Sequence, residues 1–363
     1  MEGPRSPAEN ELSSVLDFLN KKLRADSAWS IDTEYPTALT RSNLHNMRII
    51  KDEAQIVSHA VVKPLIIKSP HLIYKMAAIG SVVTDPDYRN QGHSRTLLND
   101  CLELAQKQQC DAAILWTNLH DFYRKMNFEL AGTEVSFVID KPILETDSDL
   151  RFSNDPKVAA EAIFRLYSNH TVTTVRSIEE TRKYMSIPQT KIYTAWEKNG
   201  TLAAYAIEGK GADLGGYIHE WGGMVSKLIP LLNYVYNLNK TSLTVIVPRH
   251  SHHLIAQLQQ RQIQTHIGFL GMIKIINHDQ LFAKIKRAFR AEGVSDIVLE
   301  KTKDHFLFGV GGNLFTMTDE AEMTRLIFGP VEIDELEMLN EKTRHQLSKL
   351  LPLPFWLWGW DSV

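Results

Sequence analysis

Residues 82–94 read Val82-Val83-Thr84-Asp85-Pro86-Asp87-Tyr88-Arg89-Asn90-Gln91-Gly92-His93-Ser94, and this segment decides the fold of the chain. The apolar run ends, Asp85-Pro86 predicts a turn, and a helix is predicted over residues 93–109. The first N–H groups of a helix lack intrahelical partners and, with the helix dipole, form an anion site. Gly92 lets a ligand approach the backbone, and Arg89 adds a positive charge. This construction suits a pyrophosphate; the alternative is a turn that the glycine merely eases.

The flanking segments predict a small α+β unit. Apolar residues three and four apart indicate an amphipathic helix over Glu11–Leu23. Strand-like runs follow, in an order that suggests an antiparallel meander, and a further strand, a short helix and closing strands come after residue 110. The predicted strands of this unit are Met47–Ile50, Ile56–Ile67, Leu72–Val83, Asp111–Thr117 and one or two within Phe128–Ile139, and its short helix is Leu119–Met126.

A second motif lies about thirty residues beyond the loop and reads Phe122-Tyr123-Arg124-Lys125-Met126-Asn127-Phe128. Together the two segments resemble the GNAT superfamily of N-acetyltransferases. The acetyl-CoA loop of that family, Q/R-x-x-G-x-G/A, stands here as residues 89–94, and its later motif, roughly F-Y-x-k-x-G-F, as residues 122–128. Two positions depart from the pattern. Ser94 is still small, and Asn127 is the residue that best tolerates the left-handed conformation after glycine.

The resemblance implies an acetyl-CoA-binding α+β fold whose mixed, mostly antiparallel sheet contains a splayed central strand pair. Backbone groups of Val82 and Val83 are then expected to pair with the pantetheine arm. Asn118 is a further candidate contact to the cofactor, and no metal is implied. The N–H groups that are expected to hold the pyrophosphate belong to Arg89, Asn90, Gln91, Gly92, His93 and Ser94.

The same resemblance implies a mechanism in which a neutral amine attacks the thioester of acetyl-CoA. Tyr123 occupies the position of the family's general acid, and a tyrosine with a reference pKa near 10 is able to protonate a thiolate. The alternative is that Tyr123 only packs in the core. The base stays open among His93, His120 and Glu34, each of which also fits a solvated surface residue.

The rest of the chain predicts two further units. The order of helices and strands from about residue 150 to 278 repeats that of the first unit, and Lys198-Asn199-Gly200 predicts a hairpin. Pro142 and the polar run Glu145–Asp149 look like a linker. We therefore expect domains at residues 1–145, 146–278 and 279–363, of which the second lacks the CoA loop.

This layout resembles the Eis-like (enhanced intracellular survival) acetyltransferases, which join two GNAT-shaped domains to a sterol-carrier-protein-like domain. The junction His219–Gly223 lacks the CoA-loop pattern, and Met323–Gly329 resembles a helix near the end of that family. The resemblance implies a short sterol-carrier-protein-like α+β region at the C-terminus and an assembly of identical subunits. It also implies that the carboxylate of Val363 enters the active site as a base. The alternative is that the aromatic tail only packs.

Glu220 and Trp221 are candidates to line the acceptor pocket of the second unit. An acidic group attracts a cationic amine, and tryptophan offers a cation–π face. A purely structural role at the end of a strand explains the two residues equally well. Both belong to the junction His219–Gly223 named above.

Composition bounds the possible partners. The formal net charge is only −3, which favours neither nucleic acid nor an anionic membrane as a partner. No apolar run reaches the roughly 18 residues of a membrane span, and no secretory signal is recognisable, so a cytoplasmic protein is expected. Cys101 and Cys110 fit no zinc pattern and are expected to be reduced thiols.

The sequence therefore predicts an acetyl-CoA-dependent N-acetyltransferase. Its acceptor is a primary amine, either of a small cationic molecule such as an aminoglycoside or a polyamine, or of a protein lysine. The alternative is a non-catalytic module that binds acetyl-CoA as a regulatory or scaffolding ligand. A weaker third possibility is an aminoacyl transferase with a tRNA-borne donor, against which the intact CoA loop argues.

Overall fold

Two large β-sheets with helices on their faces form the body of the protein in the computed structural model, which describes residues 1–143, 147 and 149–363. The boundary expected between residues 145 and 146 lies outside the described residues. The strands are β1 (Glu2–Arg5), β2 (Met47–Asp52), β3 (Gln55–Lys68), β4 (Ile73–Thr84), β5 (Ala112–Leu115), β6 (Glu129–Ala131), β7 (Glu134–Ile139), β8 (Arg151–Ser153), β9 (Thr173–Thr174), β10 (Lys191–Trp196), β11 (Leu202–Lys210), β12 (Asp213–Gly223), β13 (Leu243–Pro248), β14 (Gln264–Gly268), β15 (Gly271–Ile275), β16 (Ile297–Lys301), β17 (Phe306–Val310) and β18 (Asn313–Met317).

The helices cover both sheets and the C-terminal region. They are α1 (Leu12–Leu23), α2 (Ile31–Glu34), α3 (His93–Lys107), α4 (His120–Arg124), α5 (Ala160–Tyr167), α6 (Ile178–Met185), α7 (Val225–Asn239), α8 (His252–Gln260), α9 (His278–Ala291), α10 (Glu320–Phe328) and α11 (Glu341–Leu347). Within the described residues, no helix combines the length and the apolar character that crossing a membrane requires.

The first sheet has the order β1-β2-β3-β4-β5-β15-β6, with β9 paired to β3. The antiparallel meander expected from the sequence is confirmed as β2-β3-β4. Helix α3 packs on this sheet through Leu97, Leu98 and Cys101, which are all fully buried. Cys101 and Cys110 are both buried and free.

Strands β4 and β5 run parallel and then separate. Their pairing covers Met76 with Ala112, Ala77 with Ala113 and Ala78 with Ile114. β4 continues to Thr84, six residues beyond the last pair, without β5 beside it. These two diverging strands are the splayed pair that the fold class predicts.

The second sheet, β14-β7-β13-β12-β11-β10-β8, repeats the architecture of the first. β12 and β13 are also parallel and also separate after a short pairing. The pairing covers only Tyr217 with Thr244 and Ile218 with Val245. The predicted hairpin joins β10 to β11 at a turn in which Gly200 has φ +84°.

The two sheets exchange one strand each, which the sequence analysis did not foresee. β7 follows β6 along the chain, but it pairs between β13 and β14 of the second sheet. In return, β15 lies between β5 and β6 of the first sheet. The assignment of all of Phe128–Ile139 to the first unit is therefore corrected. Alternating apolar residues predict a strand without saying which sheet it joins.

The C-terminal region adds a three-stranded antiparallel sheet, β16-β17-β18, flanked by α9, α10 and α11. Its classification as sterol-carrier-protein-like stays a prediction, as do the domain limits. The last residues fold back onto the other units. Trp356, Trp358 and Trp360 in this tail are all fully buried, as expected for apolar residues that are costly to hydrate.

A buried charge network fixes the tail to the segment around β9 and to β12 of the second sheet. Arg176 donates two hydrogen bonds to Glu220, at 2.9 and 2.8 Å, and two to Asp361, at 2.9 and 2.7 Å. Thr174 donates a further hydrogen bond to Asp361 at 2.7 Å. All three charged side chains are at most 2% exposed. Removal of Arg176 leaves both carboxylates in the interior without their cation.

We expect Arg176→Met to reduce the free energy of unfolding by about 3–5 kcal/mol, because it leaves two carboxylates buried without their cation. The matched control is Arg182→Met, whose partners Glu161 and Glu179 are exposed and whose loss should cost less than about 1 kcal/mol. Urea unfolding followed by tryptophan fluorescence measures both. Equal effects of the two substitutions would contradict a dominant role of the buried network.

Candidate active site

The loop before α3 presents free backbone amides. Asn90 and Gly92 both have positive φ, +62° and +85°, so the chain turns sharply into the helix. The carbonyl of Gly92 accepts a hydrogen bond from the N–H group of Thr96. The three residues between them therefore have N–H groups without intrahelical partners. The Gly92 cap supplies no side chain, and the first turn of α3 contains no acidic residue. An anion therefore meets three free donors and no repulsive charge.

Hydroxyl groups hold this loop against the sheet. The Thr84 hydroxyl at the end of β4 lies 2.8 Å from the hydroxyl of Ser94 and 2.7 Å from that of Ser58. The carboxylate of Asp85 pairs with Lys22 of α1 at 2.7 Å. These contacts connect the first turn of α3 to three other elements, so the loop is fixed before any ligand binds.

A cleft of about 750 Å³ runs from this loop along the splayed end of β4. It brings together most of the predicted cofactor-binding residues: Val82, Val83, Arg89, Asn90, Gly92, His93 and Ser94. Gln91 and Asn118 are exposed and are not part of its lining. The sequence analysis missed three basic residues of the cleft, because they lie within or just after three different helices. These residues are Lys22, Arg95 and Lys125.

A β-bulge redirects β4 between the cleft and the chain end. The register of β3 against β4 shifts between His59 and Val61, and Ser81 on the bulge has φ +48°. Nδ1 of His59 lies 2.9 Å from the carbonyl oxygen of Ser81. The carbonyl oxygen therefore accepts a hydrogen bond from the N–H group of the ring. Burial lowers the pKa of His59 to about 4, so the ring is neutral at pH 7 and is a fixed support for the bulge.

A second cavity, of about 480 Å³, lies on the other side of the bulge and contains the chain end. A Cβ atom on Gly80 would fall 2.4 Å from the carboxyl carbon of Val363, so the glycine is what allows this close approach. Gly80 is two residues from Val82, which lines the cleft. The cleft and the chain end that lines the cavity therefore both reach one short segment of β4.

A family model described as "Acetyltransferase (GNAT) domain" matches residues 5–131, which include the loop, the bulge and the splayed strands. The chain carries a GNAT acetyltransferase domain. Acetyl-CoA is the donor in this family, and the protein is accordingly an acyltransferase. No curated protein matches the sequence.

Solved structures show that the likeness extends beyond the GNAT domain. A GCN5-related N-acetyltransferase from Anabaena variabilis is 14% identical and superposes with a TM-score of 0.66, covering 99% of this chain and 100% of that chain. Eis1 from Mycobacterium abscessus is 12% identical with a TM-score of 0.63, covering 98% and 99%. A probable N-acyltransferase of unknown function from Enterococcus faecalis is 14% identical with a TM-score of 0.63, covering 96% and 95%. At these identities the similarity is one of fold.

Tyr123 of the GNAT domain lies in α4, where its ring packs edge-on against Phe122 and Phe128 at centroid distances of 5.0 and 6.0 Å. The side chain is 6% exposed, and burial raises the pKa of its hydroxyl to about 12. The hydroxyl therefore stays protonated throughout the neutral range. The packing that the sequence analysis gave as an alternative is present, and a catalytic role for Tyr123 stays a prediction.

The expected contribution of Glu220 and Trp221 to an acceptor pocket stays a prediction, and neither residue lines the cavity that contains Val363. Glu220 is fully buried and both its carboxylate oxygens are bound to Arg176. Trp221 is 4% exposed, and its indole N–H donates to the carbonyl of Ile246 at 3.1 Å, across the splayed pair β12 and β13. The sequence did not reveal this, because Arg176 lies 44 residues away along the chain.

The three candidate bases are in different environments. Glu34 is fully buried and paired with Arg24 at 2.6 Å, so its charge is already compensated. His120 lies with Nε2 2.9 Å from the carbonyl of Thr117. His93 lines the cleft, and its Nε2 has no partner within the described part of the chain.

Lys210 binds the backbone close to the chain end. Its ammonium group donates to the carbonyl of Ser362 at 2.5 Å, to the hydroxyl of Ser362 at 2.8 Å and to the carbonyl of Gly359 at 3.1 Å. It also lies 4.9 Å from the ring centroid of Tyr35. Lys210 is 2% exposed, and burial lowers its pKa to about 7.

The free energy of unfolding is expected to rise relative to that of Lys210→Met between about pH 7 and pH 10.5. In this range the unfolded chain keeps the lysine proton, whose ordinary pKa is 10.5, whereas the folded chain has released it. Stability increases with pH wherever the unfolded state binds more protons. Urea unfolding of both proteins at several pH values measures the difference, and a constant difference would contradict the lowered pKa of Lys210.

Proposed function

We propose that this protein transfers the acetyl group of acetyl-CoA to a primary amine by direct attack in a ternary complex. The observation that carries the proposal is that the cleft and the chain end, which lines the cavity, reach the same segment of β4. Val82 lines the cleft and Gly80 contacts the chain end in the cavity, and two strand residues span only about 7 Å. A thioester in the cleft and an amine in the cavity are then close enough to react.

The donor is held mainly by its phosphates. The free amides at the start of α3 bind the pyrophosphate, and Val82 and Val83 lie beside the pantetheine arm. Arg95 and Lys125, which are exposed at the rim of the cleft, are available for the remaining phosphate of CoA. Gln91 and Asn118 are exposed at the same end of the GNAT domain and take no part in this lining.

The chemistry requires two proton transfers. The amine nitrogen attacks the thioester carbonyl carbon, the C–N bond forms, and the tetrahedral intermediate collapses with cleavage of the C–S bond. The nitrogen loses a proton to a base, and the CoA thiolate takes one from the Tyr123 hydroxyl. The protonated base then gives up its proton to water, and water reprotonates the Tyr123 phenolate, so the cycle closes. The products are an acetamide and free CoA.

The terminal carboxylate of Val363 is the proposed base. It lies against β4 at Gly80, and no side-chain cation of the described residues lies within 4 Å of it. Lys210 and Asp361 hold the preceding residues, so the tail keeps its end in the cavity without neutralising it. An unpaired carboxylate retains its capacity to accept a proton from the attacking amine.

Gly92→Asp should weaken binding of CoA at least tenfold, because it places a carboxylate beside the free amides that the pyrophosphate needs. Gly200→Asp is the matched control. Both glycines have almost the same φ, +85° and +84°, and a Cβ atom on either one meets no atom within 4 Å. Isothermal titration with CoA measures the affinity. Equal weakening in both variants would contradict a phosphate site at this loop.

Release of free CoA from acetyl-CoA in the presence of primary amines tests the proposed function directly. Tyr123→Phe, and a semisynthetic protein with a carboxamide at Val363, should each lower kcat on the order of 100-fold without changing the affinity for acetyl-CoA. Tyr193→Phe is the control, because this buried tyrosine lies in the second sheet. Unchanged turnover of Tyr123→Phe would exclude its role as the acid, and no acetylation of any amine would exclude the function.

A further inference from the structure

We propose that the acceptor is an amine with a single positive charge on an aromatic or bulky apolar body, and that Glu134 binds its ammonium group. This inference rests on the proposed function and narrows its substrate class. The bound ammonium group gives one proton to water before attack, because only the neutral amine has the lone pair that attacks the thioester. It excludes polycations such as aminoglycosides and polyamines as preferred acceptors. The cavity that contains Val363 supplies the argument.

Glu134 is the side-chain carboxylate of this cavity that lacks a cation. It is the first residue of the exchanged strand β7 and is partly buried. Its Oε1 accepts a hydrogen bond from Ser136 at 3.0 Å, and no basic group of the described residues lies within 4 Å of it. Burial raises the pKa of Glu134 above its usual value. A buried carboxylate without a cation gains most from one that a ligand brings.

Asp213, the other acidic side chain in the lining, is already engaged. Its carboxylate accepts a hydrogen bond from the Tyr35 hydroxyl at 2.8 Å and lies 3.6 Å from the guanidinium of Arg24. It is also about half exposed, so water screens its charge. Besides the terminal carboxylate of Val363, which the proposed reaction uses as its base, the cavity therefore offers one unpaired position for an ammonium group, whereas a polycation requires several.

The remaining walls are largely apolar and aromatic. Trp116 and Phe269 are 36% and 41% exposed and give the cavity an open aromatic face. Trp356, Trp358 and Leu270 line it as well and are almost completely buried. An apolar body gains free energy from such walls, and a tryptophan face also attracts a cation. A polycation offers these walls less apolar surface to bury than an aromatic amine does.

The test uses 2-phenylethylamine as the probe acceptor and spermidine and neamine as the polycationic comparison. We expect kcat/KM for 2-phenylethylamine to exceed the values for both polycations at least tenfold. Glu134→Gln should raise KM for 2-phenylethylamine at least tenfold with a smaller change in kcat, whereas Asp213→Asn should change KM less than threefold.

An uncharged analogue separates recognition of charge from structural damage. 2-Phenylethanol should inhibit wild type and Glu134→Gln with the same inhibition constant within twofold, because only the ammonium contact is lost. Trp116→Ala should weaken the amine and the alcohol alike, since both use the apolar wall. If Glu134→Gln weakens the alcohol as strongly as the amine, Glu134 is structural and the proposal is wrong.

The outcomes also separate this inference from the proposed function. A preference for spermidine or neamine, with KM unaffected by Glu134→Gln, overturns the inference and leaves the N-acetyltransferase in place. If no amine is acetylated, the proposed function fails, and quenching of tryptophan fluorescence by 2-phenylethylamine still measures binding to the cavity. If Glu134→Gln weakens this binding, the result supports the inferred ligand class. If 2-phenylethylamine does not bind to the wild-type cavity, the inference is overturned.

Discussion

Backbone hydrogen bonds of two exchanged strands join the halves of this protein. β15 completes the first sheet between β5 and β6, and β7 completes the second sheet between β13 and β14. Separation of the halves would expose unpaired strand edges in both sheets, so each half depends on the other for its hydrogen bonds. The same exchange brings Glu134 at the start of β7 and Leu270 just before β15 to one cavity. The acceptor side of the site is therefore a product of the exchange.

The chain end depends on a different constraint, which is the high cost of burying an unpaired charge. Arg176 satisfies Glu220 and Asp361 together, and Lys210 binds the backbone on either side of Trp360. These contacts fix the tail at several points within a few residues of its end. They make the position of Val363 depend on the second sheet and on the segment around β9, which pairs with the first sheet.

The donor and acceptor sides of the site differ in their electrostatics. The cleft has free amides and the basic side chains Arg89 and Arg95, as an anionic coenzyme requires. The cavity has aromatic walls and the unpaired carboxylate of Glu134, as a cation on an apolar body requires. The bulge at Ser81 lies between them, and the neutral ring of His59 supports it. In the proposed reaction, two substrates of opposite charge approach β4 from two sides.

The sequence by itself determined the coenzyme loop, the meander and the helices around them. These features depend on neighbours along the chain: Gly92 can adopt positive φ, and the first amides of α3 are free because of their position in the helix. Only the tertiary structure decided which sheet β7 joins, because a strand pattern does not name its partner. It also decided that Glu220 is a buried partner of Arg176 and that Glu134 lines the cavity. An acidic residue in a strand has the same local sequence in either role, and only residues distant along the chain determine which charge it meets.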